Sequence, residues 1–451
     1  MNMSERKLVV IGGDAAGMSA ASKVRREHPE REIVVFERGR HTSYAACGMP
    51  YYIAGQIDSA AKLVARAPKV FREKQGIDVR TRHEVVAIDT ANRRVRVRDL
   101  DAIREFEESW DDLLIATGAA PIVPDLPNIR APGVFSLSTL QSGIDVFEDM
   151  ERHAPQRAVI VGGGYVGIEM AEALLDRNLE VTLIDRAQQV MNTMDPDMTE
   201  GIAQAMREAG VAVFLGEALQ TIETGPDGRV RQITTDQRRL DADLVILGLG
   251  IRPASELAKA AGIELGAAGA IRIDKRMQTS VPDVWAAGDC AESFHIVKQE
   301  PTFIALGTVA NKHGLVAGIN LSGGEMEFPG VLGTAITRFQ DLEIARTGLS
   351  ETEAKDMGIA YRAKTIEALT RSHYFPGAAK IKVKLVVEDA SGRLLGGQIV
   401  GGAGAGKRID TLATAITAGM TAEQVAYLDL AYAPPFSPVW DPVQTAARTL
   451  S

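Results

Sequence analysis

The chain has 451 residues, 45% of them hydrophobic and 24% charged, and this length predicts two to four domains rather than a single core. Its formal net charge of −9 offers no basic surface, which argues against a nucleic-acid partner. Two cysteines are too few for a disulfide framework, and no run of about 18 uncharged apolar residues occurs, so we expect a soluble cytoplasmic protein without a membrane span.

The chain contains one internal duplication. The segment LVVIGGDAAG at residues 8–17 recurs as AVIVGGGYVG at residues 158–167. In each copy a helical stretch follows the glycine turn, and a second apolar run then ends in an acid, Glu37 or Asp185. Strand, glycine turn, helix and strand, occurring twice, predict an α/β fold with two doubly wound, Rossmann-like dinucleotide-binding domains.

The first glycine turn predicts a dinucleotide site. Gly12 allows a tight turn, Gly17 allows the helix to pack closely on the strand, and the helix N-terminus faces a pyrophosphate. Glu37, twenty residues after Gly17, is well placed for a ribose hydroxyl. Asp14 replaces the middle glycine of the usual pattern, so this copy alone also fits an unrelated α/β glycine turn.

A lone cysteine follows this unit. Cys47 lies in residues 43–55, and Tyr52 occupies the position at which a C-x4-C dithiol would carry its second sulfur. We expect a helix to begin at residues 48–50, and a helix N-terminus beside a redox cofactor lowers the pKa of a thiol. The alternative is a buried structural cysteine.

The second glycine turn matches the full pattern at Gly162, Gly164 and Gly167. Asp185, eighteen residues beyond Gly167, favours the ribose hydroxyls of NADH, while the neighbouring Arg186 leaves NADPH open. Two dinucleotides in one chain predict hydride transfer from a nicotinamide to a flavin.

Further segments suggest how the domains are completed. Residues 110–118 and 243–250 resemble buried strands, and we assign both to the first domain, with the second unit inserted between them. Residues 279–289 resemble another strand, and we expect Asp289 at its end either to bind a flavin ribityl hydroxyl or to cap a helix. Cys290 is a buried spectator, or else the partner of Cys47 in a disulfide.

The segment after residue 320 has a different character. Residues 380–388 alternate as a half-exposed antiparallel strand, residues 394–400 continue the sheet, and residues 409–418 and 421–427 have helical patterns. These predict a third, α+β domain of about 120 residues.

The paired glycine turns, together with residues 116–118, 248–253 and 286–289, resemble the pyridine nucleotide–disulfide oxidoreductases. Residues 43–51, 373–377 and 430–437 are similar to the single-cysteine branch, the coenzyme A-disulfide reductases. The resemblance implies FAD in the first domain, NADH or NADPH in the second, and a homodimer formed by the third. It further implies that Cys47 carries coenzyme A as a mixed disulfide, and that Tyr374 and Tyr432 of the partner chain protonate or orient the leaving thiolate.

The resemblance also implies the remaining site residues. FAD-binding positions are Gly12, Gly13, Ala15, Ala16, Gly17, Glu37, Arg38, Ser43, Cys47, Val85, Ala116, Thr117, Gly118, Asp289, Ala310 and Tyr432. NAD(P)H-binding positions are Gly162, Gly164, Tyr165, Val166, Glu169, Asp185, Arg186, Gly248 and Gly250. CoA-binding positions are Ser19, Lys23, Arg26, Ser43 and Asn311, and no metal site is expected. The predicted domains are residues 1–117 with 251–325 for FAD, 118–250 for NAD(P)H, and 326–451 for dimerisation.

Three alternatives stay open at this point. NADH oxidases share the architecture, but they resemble this chain less because Ala15 replaces their active-site histidine. An NAD(P)H-dependent persulfide or polysulfide reductase uses the same single thiol. A non-catalytic, NADH-sensing flavoprotein would not need Cys47, Tyr374 and Tyr432 together.

Overall fold

A computed structural model describes residues 5–451 of the chain. Its first sheet has five parallel strands, and the strand Leu8–Ile11 at its centre is buried along its whole length. The spatial order is Val284–Ala286, Asp112–Ile115, Leu8–Ile11, Ile33–Glu37 and Asp78–Thr81. Apolar runs without alternation form these strands because both faces of the sheet are covered.

Different elements pack against the two faces of this first sheet. Leu8 and Val10 pack beneath helices, whereas Val9 and Ile11 pack beneath a three-stranded antiparallel sheet. The helices of this region are Ala15–Glu27, Met49–Ile53, Pro68–Gln75, Glu256–Ala260 and Gly307–Leu321. The antiparallel strands are His83–Asp89, Arg94–Asp99 and Arg104–Ser109, and Ser293–His295 pairs separately with Glu300–Thr302.

A second parallel sheet repeats this design. Its order is Ala212–Leu215, Glu180–Asp185, Arg157–Val161, Leu244–Leu247 and Val134–Ser136. Its helices are Leu140–His153, Tyr165–Asp176 and Pro196–Glu208, and an antiparallel sheet of Leu219–Thr224, Val230–Thr235 and Arg239–Asp241 accompanies it. The two sheets are joined by a short ladder between Ala119–Pro121 and Ile251–Pro253.

The assignment of residues 243–250 to the first domain from their strand pattern is wrong, whereas the range 118–250 predicted for the NAD(P)H domain includes this strand. Leu244–Leu247 pairs in parallel with Arg157–Val161, just as Asp112–Ile115 pairs with Leu8–Ile11 in the first sheet. The duplication therefore extends to this strand, and sequence order alone did not reveal it. The strand predicted from residue 279 is also shorter and covers only Val284–Ala286.

The third sheet is antiparallel. Its order is Ala335–Phe339, Leu342–Gly348, Leu394–Gly401, Lys380–Glu388 and Tyr361–Leu369. Its helices are Glu351–Asp356, Ile409–Thr417, Ala422–Ala426 and Pro442–Arg448. The strand Lys380–Glu388 is more buried than its alternation predicts, because even Lys384 is enclosed.

Within residues 5–451, the helices are too short or too polar for any of them to cross a membrane. The predicted domain boundaries at residues 117/118, 250/251 and 325/326 stay predictions.

Candidate active site

The two glycine turns have the same geometry. Gly12 and Gly162 both adopt φ of +110°, and a Cβ on either would come within 2.1 Å or 2.3 Å of a carbonyl oxygen at the end of the adjacent strand. A Cβ on Gly17 or Gly167 would lie 2.0 Å or 1.9 Å from the carbonyl oxygen of the first glycine. Glycine is therefore required at all four positions.

Asp14 and Gly164 occupy corresponding places. Both are helix N-caps with extended backbone, at φ of −108° and −79°. A Cβ on Gly164 would meet nothing within 4 Å, which explains why a larger residue is tolerated at the first turn. Asp14 Oδ1 accepts a 3.0 Å hydrogen bond from the Tyr44 backbone N–H. Asp14 thus ties the segment before Cys47 to the first glycine turn.

Burial is the main reason that the pKa of Asp14 rises to about 6, and Glu37 and Asp289 raise it further. Sequence reasoning missed this contribution of Asp14. An acid at a glycine position was the available signal, and it indicated only a departure from the pattern.

Each second strand ends in an acid that is held by backbone N–H groups. The Glu37 carboxylate accepts from the N–H of Gly13 at 2.8 Å and the Asp185 carboxylate from that of Gly163 at 2.6 Å. A second N–H, two residues beyond each acid, bonds the other oxygen. Both acids are thereby fixed beside the turns, where free lone pairs can accept from ribose hydroxyls. Arg186 is exposed, as is Arg38.

Three predicted FAD positions meet around Gly288. A Cβ on Gly288 would lie 2.9 Å from Ala16 Cβ and 3.5 Å from Ala310 Cβ. Next to it, Asp289 Oδ1 is buried and has no hydrogen-bond partner within residues 5–451, and burial raises the pKa of Asp289 to about 6. A buried acceptor without a donor needs a partner, and a flavin ribityl hydroxyl fits that need. The N-cap alternative is wrong, because the next element is the strand Ser293–His295.

Two other predicted FAD positions donate hydrogen bonds to nearby backbone carbonyls. Ser43, at φ of +50°, donates its N–H to the Gly13 carbonyl at 3.2 Å. Thr117 Oγ1 donates 2.6 Å to the Ala254 carbonyl, across the connection between the two sheets. The remaining positions lie at the ends or edges of the same elements: Ala15 begins the first helix, Val85 lies at a bulge in a strand, and Ala116 and Gly118 follow a strand.

Cys47 lies in a short turn, residues 46–48, that leads directly into the helix Met49–Ile53, as predicted. Its thiol is free and exposed in the single chain, whereas the free thiol of Cys290 is buried and donates to two backbone carbonyls. The two cysteines therefore form no disulfide, and Cys290 is buried, as the spectator interpretation expects.

In the chain by itself the pKa of the thiol is raised, so the lowering expected beside a bound flavin stays a prediction. Desolvation by the protein atoms packed around Cys47 raises its pKa, and the negative charges of Glu169 and Asp289 raise it further. A backbone hydrogen bond at Cys47 opposes this increase only in part. A helix of five residues contributes little against two carboxylates.

Glu169 lies on the helix Tyr165–Asp176 and connects that helix to the third sheet. Its Oε1 accepts a 2.8 Å hydrogen bond from Thr337 Oγ1. One turn further along, Glu172 forms an ion pair of 3.1 Å with Arg338, whose guanidinium lies 5.7 Å from the centre of the Tyr51 ring. All three predicted domains therefore meet one turn from Cys47. Sequence reasoning found Glu169 but missed its partners, which no spacing rule predicts.

The remaining predicted NAD(P)H-binding positions surround the second glycine turn. Tyr165 begins the helix Tyr165–Asp176 with Val166 beside it, and burial raises the pKa of the Tyr165 phenol. Gly248 packs against the second turn, and Gly250 adopts φ of +92°.

The predicted CoA positions are brought together in part. Ser19 Oγ bonds Asn311 Oδ1 at 3.0 Å, between the helices Ala15–Glu27 and Gly307–Leu321. Lys23 forms an ion pair with Glu27, and Arg26 is exposed.

Tyr374 and Tyr432 are on the surface of the single chain, 65% and 47% exposed. Their two loops touch, because the Ser372 N–H donates 3.3 Å to the Pro434 carbonyl. The loop of Tyr432 also exposes Phe436, and together they form an apolar surface without a partner among residues 5–451.

Comparisons with known proteins identify the family to which this chain is similar. The family model for Pyridine nucleotide-disulphide oxidoreductase matches residues 6–314, and that for its dimerisation domain matches residues 334–442. An NAD(P)H sulfur oxidoreductase (CoA-dependent) of Pyrococcus furiosus is 44% identical, over 99% of this chain and 100% of that protein. A coenzyme A disulfide reductase of Staphylococcus haemolyticus is 30% identical over 96% of both. The solved structure of an NAD-dependent persulfide reductase from A. fulgidus is 39% identical, with a TM-score of 0.93 over 98% of this chain and 82% of that one.

Proposed function

The chain belongs to the pyridine nucleotide-disulphide oxidoreductase family, and on that premise we propose that it reduces a CoA-linked disulfide with NAD(P)H through the single thiol of Cys47. One observation carries the proposal: Cys47 is the exposed thiol of the chain, and the carboxylates of Glu169 and Asp289 are near enough to raise its pKa. Glu169 belongs to the helix Tyr165–Asp176 of the second dinucleotide unit and Asp289 to the predicted FAD site, which supports a thiol between the two cofactors.

The residues present fit FAD at the first turn and NAD(P)H at the second. Gly12, Gly17 and Glu37 would hold the pyrophosphate and ribose of FAD, and Asp289 Oδ1 would accept from its ribityl chain. FAD, when bound, carries two electrons from NAD(P)H to a disulfide at Cys47.

Cys47 would reduce CoA disulfide in two steps. The Cys47 thiolate attacks one sulfur of CoA disulfide, a Cys47–CoA disulfide forms, and the old S–S bond breaks with its electron pair on the leaving CoA thiolate, which takes up a proton. Two electrons then cleave the Cys47–CoA disulfide, and a second proton completes the other CoA thiol. Overall, one CoA disulfide, one NAD(P)H and one proton give two CoA thiols and NAD(P)⁺.

We infer that the leaving CoA thiolate is protonated or oriented by Tyr374 and Tyr432 of the partner chain. Both phenols lie on exposed loops within or beside the segment matched by the dimerisation model, residues 334–442. In a homodimer formed through this face, exposed aromatic side chains would be covered by the second copy.

The second candidate is reduction of a CoA persulfide or polysulfide by the same thiol. The names of the Pyrococcus furiosus and A. fulgidus proteins favour it, and these are the more similar of the relatives described above. A CoA persulfide would place the same adenine nucleotide over Cys47 as CoA disulfide would. An NADH oxidase is the weaker alternative, because Ala15 replaces the histidine of that branch.

A substrate panel tests the proposal. Purified holoprotein would be given NADH or NADPH with CoA disulfide, CoA persulfide, polysulfide, glutathione disulfide or oxygen. We expect turnover with a CoA-linked sulfur, its loss in Cys47→Ser, and unchanged turnover in Cys290→Ser. Mass spectrometry should show CoA on Cys47 before reduction. A Cys47 that is free or carries only oxygen, or full disulfide turnover in Cys47→Ser, would overturn the mechanism.

A further inference from the structure

One arginine contacts both of the tyrosine loops. The Arg408 Nη2 atom donates to the Thr370 carbonyl at 2.8 Å and to the Phe436 carbonyl at 2.9 Å. Its Nε donates 2.8 Å to Asp441 Oδ2, and its Nη1 donates to the Gly404 carbonyl. The side chain is only 11% exposed, so these bonds are largely shielded from water.

Three of these acceptors stabilise the two tyrosine loops or the helix that follows them. Thr370 closes the loop of Tyr374, through bonds of 2.8 Å and 3.2 Å with the backbone of Ala379. Phe436 lies in the loop of Tyr432. Asp441 caps the helix Pro442–Arg448 with a 2.9 Å bond from Val443 N–H.

From these contacts we infer that Arg408 is a positioning residue, which fixes the loops of Tyr374 and Tyr432 in one mutual arrangement. This inference deepens the proposed function and rests on it for the role of the two phenols. The hydrogen bonds of Arg408 go to Thr370, Gly404, Phe436 and Asp441, and none goes to Cys47. It acts through the two loops, and therefore on the active site that those loops serve.

The chemistry of the contact requires arginine. A planar guanidinium offers five N–H donors in fixed directions, whereas a lysine ammonium offers three on one atom. Arg408→Lys would keep the charge beside Asp441 but could not reach both loop carbonyls. The two loops would then no longer be held to each other through residue 408, and both would be freer to move.

Hydrogen–deuterium exchange tests the positioning directly, with the holoprotein dimer. We expect Arg408→Lys to speed amide exchange in both residues 371–378 and residues 431–440. The matched control is Arg362→Lys, in the same domain, where Arg362 pairs with Asp389 at 3.1 Å and contacts neither loop. Faster exchange confined to one loop, or equal exchange in both variants, would overturn the inference. Asp441→Asn, which keeps an oxygen for the helix cap, is a second variant with the same expected result.

Mixed dimers test which active site depends on Arg408. In Arg408→Lys homodimers we expect the disulfide turnover to fall about ten- to hundredfold, because misplaced acid groups lose that much. Reduction of the bound flavin by NADH should be unchanged, since that step does not use the phenols. A heterodimer of Arg408→Lys with Cys47→Ser should recover about half of the wild-type turnover, since one thiol would meet two intact partner loops.

The outcomes separate the two claims. A heterodimer no faster than half of the Arg408→Lys rate would mean that the loops serve their own chain, which overturns the role of Arg408 across the interface. Full turnover in Tyr374→Phe and Tyr432→Phe would instead overturn the proposed function of the phenols. The exchange experiment depends on neither result.

Discussion

At the scale of single residues, charge and burial decide the chemistry. Desolvation by the surrounding protein raises the pKa of the Cys47 thiol, and the negative charges of Glu169 from the second domain and Asp289 from the first raise it further. In the single chain the thiolate is therefore harder to form than in an ordinary cysteine. A bound cofactor or substrate that pairs with either acid would relieve that repulsion.

Glu169→Gln should lower the pKa of Cys47, because it removes a negative charge beside the thiolate. We expect the pH midpoint for alkylation of Cys47 by iodoacetamide to fall by about half to one pH unit. Glu172→Gln is the control, since its charge is already paired with Arg338. An equal shift in both variants would contradict the assignment to Glu169.

Asp289→Asn should stabilise the protein after FAD is stripped from it. Burial raises the folded pKa of Asp289 to about 6, above its ordinary 3.8, so the folded state loses stability as pH rises through that window. At pH 7.5 we expect a gain of about 1–3 kcal/mol in the free energy of unfolding, and at pH 4 almost none. Thermal unfolding at the two pH values measures this.

The same variant should retain less FAD than the wild type, because an amide is a weaker acceptor for a ribityl hydroxyl than a carboxylate. Absorbance of the purified protein reports the FAD content. FAD retained at the wild-type level would argue against the assignment of Asp289 Oδ1.

At the scale of elements, two helices approach each other through glycines. A Cβ on Gly314 would lie 2.3 Å from the Ala16 carbonyl oxygen, and a Cβ on Gly318 would lie 2.7 Å from Lys23 Cβ. This contact joins the helix after the first turn to Gly307–Leu321, and it sets the spacing of Ala16 from Ala310 and of Ser19 from Asn311. The spacing of these predicted FAD- and CoA-binding residues therefore requires glycine at positions 314 and 318.

Gly314→Ala should separate these helices and weaken FAD binding. We expect a loss of about 1–3 kcal/mol in the free energy of unfolding, as for other overpacked contacts. Gly201→Ala is the matched control, because Gly201 also lies in a helix and a Cβ there would meet nothing within 4 Å. That variant should gain about 0.5–1 kcal/mol. Denaturant unfolding and FAD content measure both, and a neutral Gly314→Ala would contradict the packing argument.

At the scale of the whole molecule, a buried lysine joins the second domain to the third. Lys384 forms ion pairs with Asp195 at 3.2 Å and Asp197 at 2.7 Å, and with Glu351 as well. These three acids are close enough to one another to hold a metal ion, but the Lys384 ammonium already pairs with each of them. Gln398 also donates 2.6 Å to Asp195. These contacts hold the N-terminus of the helix Pro196–Glu208 against the third sheet.

Lys384→Met should destabilise the protein strongly, because it leaves the buried carboxylate of Asp195 without its cation, together with the less buried Asp197 and Glu351. We expect a loss of about 3–5 kcal/mol. Lys380→Met, on the same strand but exposed, should change stability by less than about 0.5 kcal/mol. Denaturant unfolding of both variants measures the difference, and a loss in Lys384→Met as small as that of the control would show that the ion pairs contribute little.

Much of the fold and of the cofactor sites could be predicted from sequence alone. Gly12, Gly17, Gly162 and Gly167 and the acids that follow them are recognisable because a glycine turn, a helix and the next strand lie within about 30 residues. The same local rules placed Cys47 at the start of a helix and excluded a dithiol at Tyr52. The family resemblance of the loops of Tyr374 and Tyr432 also needed only the sequence.

Only the tertiary structure decided which long-range partners these residues meet. Glu169 bonds a threonine 168 residues away, and Arg408 reaches Thr370 and Phe436. The direction of the Cys47 pKa shift also depends on acids more than 100 residues distant in sequence. Turn and periodicity rules act over short separations, whereas desolvation, ion pairing and helix contact depend on distance in space. For that reason the sequence determined the cofactor framework, and the tertiary structure determined the environment of the thiol.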